Sequence, residues 1–230
     1  MKNKVVSQKE WTKARKQLLK KEKAFTKLRD KFTATIRTLP WVKVEKKYWF
    51  QGPDGKESLK DLFGKNSQLI VYHFMLGPDW EQGCRNCSFW ADGFQGIPIH
   101  LAHRDVTFLA VSRAPFKKIE AFKKRMGWNF RWVSSYGSDF NYDFNVAFPE
   151  DLIKAGKAVY NFSETGDVAD EMHGITVFYK DKNNVYRTYS TYARGLDIFN
   201  GAYNFLDIAP KGRDEKKDHP TSWLRHHDRY

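Results

Sequence analysis

The sequence predicts an α/β fold in which a central mixed sheet is flanked by helices. Two strand-sized apolar runs, 68–76 and 106–112, are each followed by a predicted helix. Farther along the chain, 175–179 and 185–192 flank a polar turn, which is typical of a β-hairpin, and a final helix is expected over 196–206. From residue 68 the predicted order is therefore β-α-β-α, a variable stretch, and then β-β-α.

The N-terminal segment is predicted to be one long amphipathic helix. Ser7 and Glu10 have the spacing of a capping box, which marks a helix start, and Pro40 ends the element. The apolar residues recur at three-to-four spacing, at Trp11, Ala14, Leu18, Phe25, Leu28, Phe32 and Ile36. This stripe would pack on the domain or on a second subunit, so a homodimer through the helix is one expectation.

Short strands are expected between this helix and the first apolar run. Residues 43–50 and 56–59 flank Gly52-Pro53-Asp54-Gly55, a turn signal, and predict an extra β-hairpin. One helical turn, capped by Ser58, should follow. The predicted organisation is a basic helical extension over 1–42, a main domain over 43–210 and a charged, peripheral tail over 211–230.

Two helices are expected to follow the two apolar strands. The first should run from about Cys84 toward His103 and be bent or interrupted at Pro98, which has no amide hydrogen to donate. The second should open at Pro115, because proline is favoured in the first helical turn, and stop at Gly127. A short strand over 131–135 is expected next.

Composition and charge exclude several classes of protein. The aromatic share of 16% argues for a packed globular core rather than disorder. No apolar run approaches the length that spans a membrane and no signal segment follows Met1, so a cytoplasmic protein without a membrane partner is expected. Residues 1–47 carry +12 of the formal net charge of +13, so the rest of the chain is near neutral and nucleic acid is not expected as a partner.

The only two cysteines of the chain, Cys84 and Cys87, form a C-x-x-C motif behind a predicted buried strand. So short a loop would stabilise the fold little as a disulfide, and such a pair in the cytoplasm is usually catalytic, redox-sensing or metal-binding. Unpaired amide groups and the dipole at a helix start stabilise a thiolate. We therefore expect Cys84 to attack a disulfide, with Arg85 as a neighbouring cation, and Cys87 to resolve the intermediate.

A zinc site is the alternative for this pair. Cys84, Cys87, His100 and His103 nearly match a Cys2His2 pattern, although the last spacing is short and Pro98 interrupts the helix. The protein would then be a non-catalytic binding or scaffold protein with a zinc-bound or idle cysteine pair. A thiol peroxidase is less expected, because Glu81 stands three residues before Cys84, where such sites carry Thr or Ser.

Several strings in the chain resemble the bacterial predicted dithiol-disulfide oxidoreductases, thioredoxin-like proteins long catalogued as a domain of unknown function. The strings that carry the resemblance are Tyr72-His73-Phe74-Met75, Gly83 to Asp92, Ala110 to Pro115, Lys124 to Trp128, Gly137 to Phe144 and Tyr189 to Asp197. The resemblance covers nearly the whole chain. It implies a thioredoxin-like fold, a redox-active disulfide without a bound cofactor, a protein or small-molecule disulfide as substrate and a cellular reductant as partner.

The remaining candidate site residues come from position and from this resemblance. Trp80, Asn86 and Trp90 flank the thiols, and Thr176 lies in the strand expected to face them; the family strings add Asp139, Tyr142, Asp143 and Arg194. Two departures from thioredoxins stand out. Gly83 replaces the tryptophan before the first cysteine, and Ile175 stands where thioredoxins have a cis-proline.

Overall fold

A computed structural model describes residues 3–230, which fall into two compact units divided after Pro40. In the first unit, helix α1 spans Gln8–Ile36. The predicted capping box is present, because Ser7 Oγ accepts a hydrogen bond from the Glu10 amide and the Glu10 carboxylate accepts one from the Ser7 amide. No described residue of α1 is buried, and no helix among residues 3–230 has the length and apolar character needed to cross a membrane.

The second unit is built on an eight-stranded sheet in the described part of the chain. The strands are β1 (Val42–Lys43), β2 (Trp49–Gly52), β3 (Gly55–Ser58), β4 (Gln68–His73), β5 (Val106–Ser112), β6 (Arg131–Ser134), β9 (Gly174–Asp181) and β10 (Asn184–Tyr192). Two further strands, β7 (Ala158–Tyr160) and β8 (Ser163–Thr165), form a separate ribbon that the sequence did not predict. The spatial order of the main sheet is β1-β10-β9-β4-β5-β6-β2-β3.

The centre of this sheet has the thioredoxin arrangement. Strand β4 pairs in parallel with β5 and antiparallel with β9, and β10 pairs antiparallel with β9. A β-α-β crossover therefore leads into a β-hairpin that returns to the first strand, as the element order predicts. The thioredoxin-like fold is confirmed, and the β2–β3 hairpin extends the sheet beyond β6.

The helices of the second unit are α2 (Arg85–Ala91), α3 (Ile97–Ala102), α4 (Phe116–Arg125), α5 (Phe140–Asp143), α6 (Glu150–Lys154) and α7 (Gly201–Ile208). The helix predicted from Cys84 toward His103 is interrupted as expected, but the break lies before Pro98 rather than at it. A 3-10 turn over Asp92–Phe94 and the left-handed Gly96 (φ 80°) separate α2 from α3. Pro98 lies in the first turn of α3, where a missing amide hydrogen costs nothing.

Two apolar layers cover the two faces of the sheet. Side chains alternate along β4, so Tyr72 faces one layer while Leu69 and Val71 face the other. Helices α2 and α4 cover the Tyr72 face, and α5 covers the opposite face. The C-x-x-C helix therefore packs directly on the central strand that precedes it.

The predicted peripheral tail over 211–230 instead packs on the domain. Leu224 and His226 are buried, with 0% and 2% of their surfaces exposed. The Trp223 ring lies 5.5 Å from that of Phe89 on α2. Apolar and aromatic residues among the charges hold this segment against the C-x-x-C helix.

Candidate active site

Cys84 occupies the N-cap of α2, at the end of the loop that leaves β4. Its amide donates a hydrogen bond to the Met75 carbonyl oxygen at 3.0 Å, which ties the loop back to the strand. The Cys84 carbonyl accepts from both the amide and the hydroxyl of Ser88, each at 2.9 Å. The nucleophile predicted from the sequence is thus held by its backbone on both sides.

Cys87 lies one helical turn farther on and is 1% exposed, whereas Cys84 is half-buried. Both are free thiols. The Met75 amide donates a hydrogen bond to the Cys87 sulfur at 3.4 Å. The buried Tyr72 is a second neighbour of Cys87, and burial, followed by the charge of Cys87, raises the pKa of Tyr72. The two sulfurs therefore differ in access to solvent as well as in their neighbours.

These surroundings move the two thiol pKa values in opposite directions. A hydrogen bond from the Cys87 thiol, the amides of Cys87 and Asn86 and the charge of Arg85 lower the pKa of Cys84 to about 7, although burial opposes them. Burial, followed by the adjacent Cys84, raises the pKa of Cys87 well above its usual value. Near neutral pH, the more exposed sulfur is the one that carries the charge.

Gly83 has no room for a side chain. A Cβ atom there would lie 2.5 Å from Phe122 Cε1 and 2.7 Å from Phe74 Cε1. The tryptophan that thioredoxins carry before the first cysteine would not fit, because two packed aromatic rings already fill its place.

Four of the predicted site residues lie on the C-x-x-C helix or in the loop before it, and a fifth, Arg194, lines a cavity beside that helix. Arg85 is exposed at the start of α2, and Trp80 packs on the same apolar layer as Cys84. The buried Trp90 donates from Nε1 to the Leu196 carbonyl at 2.9 Å. Asn86, Trp90 and Arg194 line a cavity of about 620 Å³ beside α2, together with Tyr203, Glu215 and Thr221. The cavity adjoins the motif through Asn86, which stands between the two cysteines, although neither cysteine lines it.

The other predicted site residues lie elsewhere. Thr176 Oγ1 is 2.9 Å from His73 Nε2, and the His73 ring packs near Phe140 on the face opposite α2. Asp139 and Asp143 both pair with Lys46, at 2.8 and 2.7 Å. The Tyr142 hydroxyl accepts from Arg113, a residue that follows β5. These residues contact the apolar layer on the sheet face opposite α2 and the strand ends, and they do not contact the thiols.

The zinc alternative finds no assembled ligand set. His100 and His103 are exposed at the end of α3. Within residues 3–230, no group of three or more His, Cys, Asp and Glu side chains converges as metal ligands would. The structure does not bring the two histidines to the two thiols.

The sequence reasoning missed two contributors to the site. Met75 donates its amide to Cys87, a contact that leaves no mark in the side-chain pattern. The buried imidazole of His226 lies 2.9 Å, through Nε2, from the carbonyl oxygen of Gly83. The apolar pair Trp223-Leu224 within a charged tail was the one available signal that this segment packs.

Comparison with known protein families identifies one match. A family model described as "Bacterial protein of unknown function (DUF899)" matches residues 1–230. This match confirms the resemblance of the strings around the motif to a family catalogued as a domain of unknown function. No curated protein matches the chain.

The chain is also similar to several solved structures. These include a mutant of PrxQ from Xylella fastidiosa (14% identity, 69% of this chain and 89% of that chain, TM-score 0.44) and peroxidoxin BcpB from Mycobacterium tuberculosis (12%, 70% and 93%, 0.47). A third is the mitochondrial 2-Cys peroxiredoxin from Plasmodium falciparum (13%, 73% and 92%, 0.41). The thioredoxin-like fold stated above depends on strand order and pairing, not on these distant likenesses.

Proposed function

We propose that this chain, which belongs to the DUF899 family of bacterial proteins of unknown function, is a thiol–disulfide oxidoreductase. The observation that carries the proposal is the asymmetry of its two thiols. Cys84 begins α2, is half-buried and has a lowered pKa, whereas Cys87 is buried and has a raised pKa. Exchange through a dithiol requires one accessible thiolate and one protected thiol beside it.

In the first step, the Cys84 thiolate attacks one sulfur of a substrate disulfide. A new bond joins Cys84 to that sulfur, the substrate S–S bond breaks, and the other substrate sulfur leaves as a thiolate that takes up a proton. The amides of Asn86 and Cys87 hold the charge on Cys84 before the attack. The sulfur is partly accessible, since Cys84 is half-buried.

In the second step, Cys87 attacks the Cys84 sulfur. The bond between Cys84 and the substrate sulfur breaks, that sulfur leaves as a thiolate and takes up the proton that Cys87 loses, and a Cys84–Cys87 disulfide forms, so two electrons pass from the chain to the substrate. Once Cys84 is in the mixed disulfide it carries no charge, which removes one cause of the raised pKa of Cys87. The Met75 amide then stabilises the emerging Cys87 thiolate.

The cavity beside α2 is the proposed docking place for the substrate. Its aromatic wall, Trp90 and Tyr203, offers apolar contact, and the exposed guanidinium of Arg194 offers a charge. A cellular thiol reductant, acting in the cytoplasm, would return the disulfide to the dithiol form. Either a protein or a small molecule would serve as the disulfide substrate.

A redox titration tests this function. The protein is equilibrated in thiol–disulfide buffers of graded potential and alkylated, and the peptide that holds both cysteines is weighed by mass spectrometry. We expect one reversible two-electron transition between roughly −120 and −300 mV, the range of known oxidoreductases. A pair that stays reduced across that whole range contradicts the proposal.

Two variants separate the roles of the cysteines. Cys84→Ser should abolish thiol-dependent reduction of a model disulfide, whereas Cys87→Ser should accumulate a mixed disulfide on Cys84. The double serine variant, checked by thermal unfolding, controls for loss of fold. About one zinc per chain, lost on Cys87→Ser, would support the scaffold alternative instead, and peroxide consumption without disulfide exchange would indicate a thiol peroxidase.

A further inference from the structure

The last ten residues, 221–230, contact the C-x-x-C segment at successive points along it. The contacts are Asn86 Nδ2 to Thr221 Oγ1 at 3.2 Å, the Phe89 and Trp223 rings at 5.5 Å, His226 Nε2 to the Gly83 carbonyl at 2.9 Å, and His227 Nδ1 to Asp92 at 2.6 Å. These contacts reach the residue before Cys84, a residue between the cysteines and two residues after Cys87. We call residues 221–230 the strap.

The strap is anchored by burial and by an ion pair. Leu224 is completely buried. The Arg125 guanidinium donates two hydrogen bonds to Asp228, at 2.8 and 2.9 Å, and a third to Gln82 in the loop before Cys84, at 3.1 Å. One arginine on α4 therefore ties both the strap and the nucleophile loop to the same helix.

Of the strap residues, His226 contacts the position nearest to Cys84 in sequence, since Gly83 directly precedes that cysteine. The His226 ring is 2% exposed and lies 5.4 Å from the Phe122 ring. Because the Gly83 carbonyl can only accept, the imidazole must carry its proton on Nε2 and donate it. Burial lowers the pKa of His226, which favours this neutral form with a single donor.

This hydrogen bond fixes the peptide unit that leads into Cys84. The carbonyl of the Gly83–Cys84 peptide accepts from His226, while the amide of the same peptide donates to Met75. Gly83 has no side chain, so it cannot anchor the loop by its own packing. The peptide plane is held from both ends instead, and its orientation sets where the Cys84 sulfur lies relative to the helix amides.

We propose that the strap is part of the thiol site and that His226 is a positioning residue for Cys84. The role in catalysis rests on the proposed oxidoreductase function, but the positioning itself does not. With the peptide fixed, the Cys84 sulfur stays within reach of the Asn86 and Cys87 amides. Without the His226 donor, the buried Gly83 carbonyl loses its partner, the loop moves, and the thiolate loses part of that stabilisation.

The test measures the alkylation rate of Cys84 against pH, read by peptide mass so that Cys87 does not interfere. His226→Phe keeps a ring against Phe122 but removes the donor, and His226→Gln keeps a donor at the same depth. His219→Phe, at an exposed histidine outside the strap, is the matched control. Thermal unfolding of each variant reports any general loss of structure.

We expect the alkylation midpoint of His226→Phe to rise by about one pH unit, which lowers the thiolate fraction at pH 7 about fivefold. His226→Gln should stay close to the unmodified protein, and His219→Phe should not differ from it. An unchanged midpoint in His226→Phe overturns the proposal, and so does a His226→Gln variant that behaves like His226→Phe. Because alkylation needs no substrate, a protein that lacks disulfide exchange but gives the expected shifts would lose only the proposed function.

Discussion

Gly83 illustrates how side chains of two other elements decide which residue can stand next to Cys84. Phe74 follows β4 and Phe122 belongs to α4, and their rings meet where a Cβ on residue 83 would lie. Gly83→Ala should therefore cost about 1–3 kcal/mol in the free energy of unfolding, because a packed core resists an added methyl group. Gly93→Ala, where a Cβ meets no atom within 4 Å, is the matched control. Equal unfolding curves in urea for the two variants would contradict this account.

His73 is a buried base on the face of the sheet opposite the thiols. Burial lowers its pKa to about 3, below the value of about 6.5 expected in the unfolded chain. Between these two pKa values, the native state binds fewer protons than the unfolded chain. The contribution of His73 to the free energy of unfolding is therefore complete above about pH 6.5 and falls as the pH decreases toward 3. The slope from this group approaches about 1.4 kcal/mol per pH unit.

His73→Leu should flatten that dependence between pH 6 and pH 4. Urea unfolding of the variant and of the unmodified protein at a series of pH values measures the slope. His219→Leu, at an exposed site, should leave the slope unchanged. If both variants keep the original slope, another group accounts for the acid sensitivity.

At the scale of elements, a close contact between Arg113 and Glu171 links the end of β5 to the segment that enters β9. Arg113 Nε lies 2.9 Å from the Glu171 carboxylate, which is 1% exposed. Burial outweighs the attraction of Arg113 and raises the pKa of Glu171 to about 8. The pKa of Glu171 is higher in the folded than in the unfolded chain. Its contribution to the free energy of unfolding is therefore complete below about pH 4.5 and is lost as the pH rises through about 8.

Glu171→Gln replaces the carboxyl by a neutral group of the same shape. Between pH 5 and pH 8, this variant should lose less stability than the unmodified protein, since it has no proton to release. Urea unfolding at the two pH values gives the difference. Glu164→Gln, on the exposed part of β8, serves as the comparison and should follow the unmodified protein.

The sequence predicts those elements whose bounds are set by local propensity and capping residues. Strand β5 has the predicted bounds of 106–112, and α1 begins at its capping box, because local propensity and capping decide both. The helix predicted after Cys84 breaks at Gly96, where a left-handed backbone conformation competes with the helical pattern. The strap has almost no local signal, since its place depends on rings and carbonyls of distant elements.

The candidate site shows the same division. Cys84, Cys87 and the residues of α2 are close in sequence, so spacing alone places them together. Thr176 was expected to face the thiols, but the alternation of side chains along β9 sends it to the opposite face with His73. His226 could not be predicted, because it joins Gly83 across 143 positions of the chain.

At the scale of the whole molecule, the excess of basic residues and the two thiols belong to different units. Residues 1–40 hold 13 Lys and Arg against 3 Asp and Glu, whereas both cysteines, the strap and the two apolar layers belong to residues 41–230. All residues that form the two apolar layers belong to the second unit. The thiol chemistry should therefore be separable from the basic helix.

Removal of residues 1–40 tests that separation. The remaining chain, 41–230, should unfold cooperatively with its midpoint within a few degrees of the full-length value, because its two apolar layers stay intact. Cys84 should keep the same alkylation midpoint, since every contact that lowers its pKa lies within 41–230. Retention on a cation exchanger should fall sharply with the loss of the basic segment. A fragment that unfolds without a cooperative transition, or whose Cys84 midpoint moves toward about 8.5, would show that the helix supports the thiol site after all.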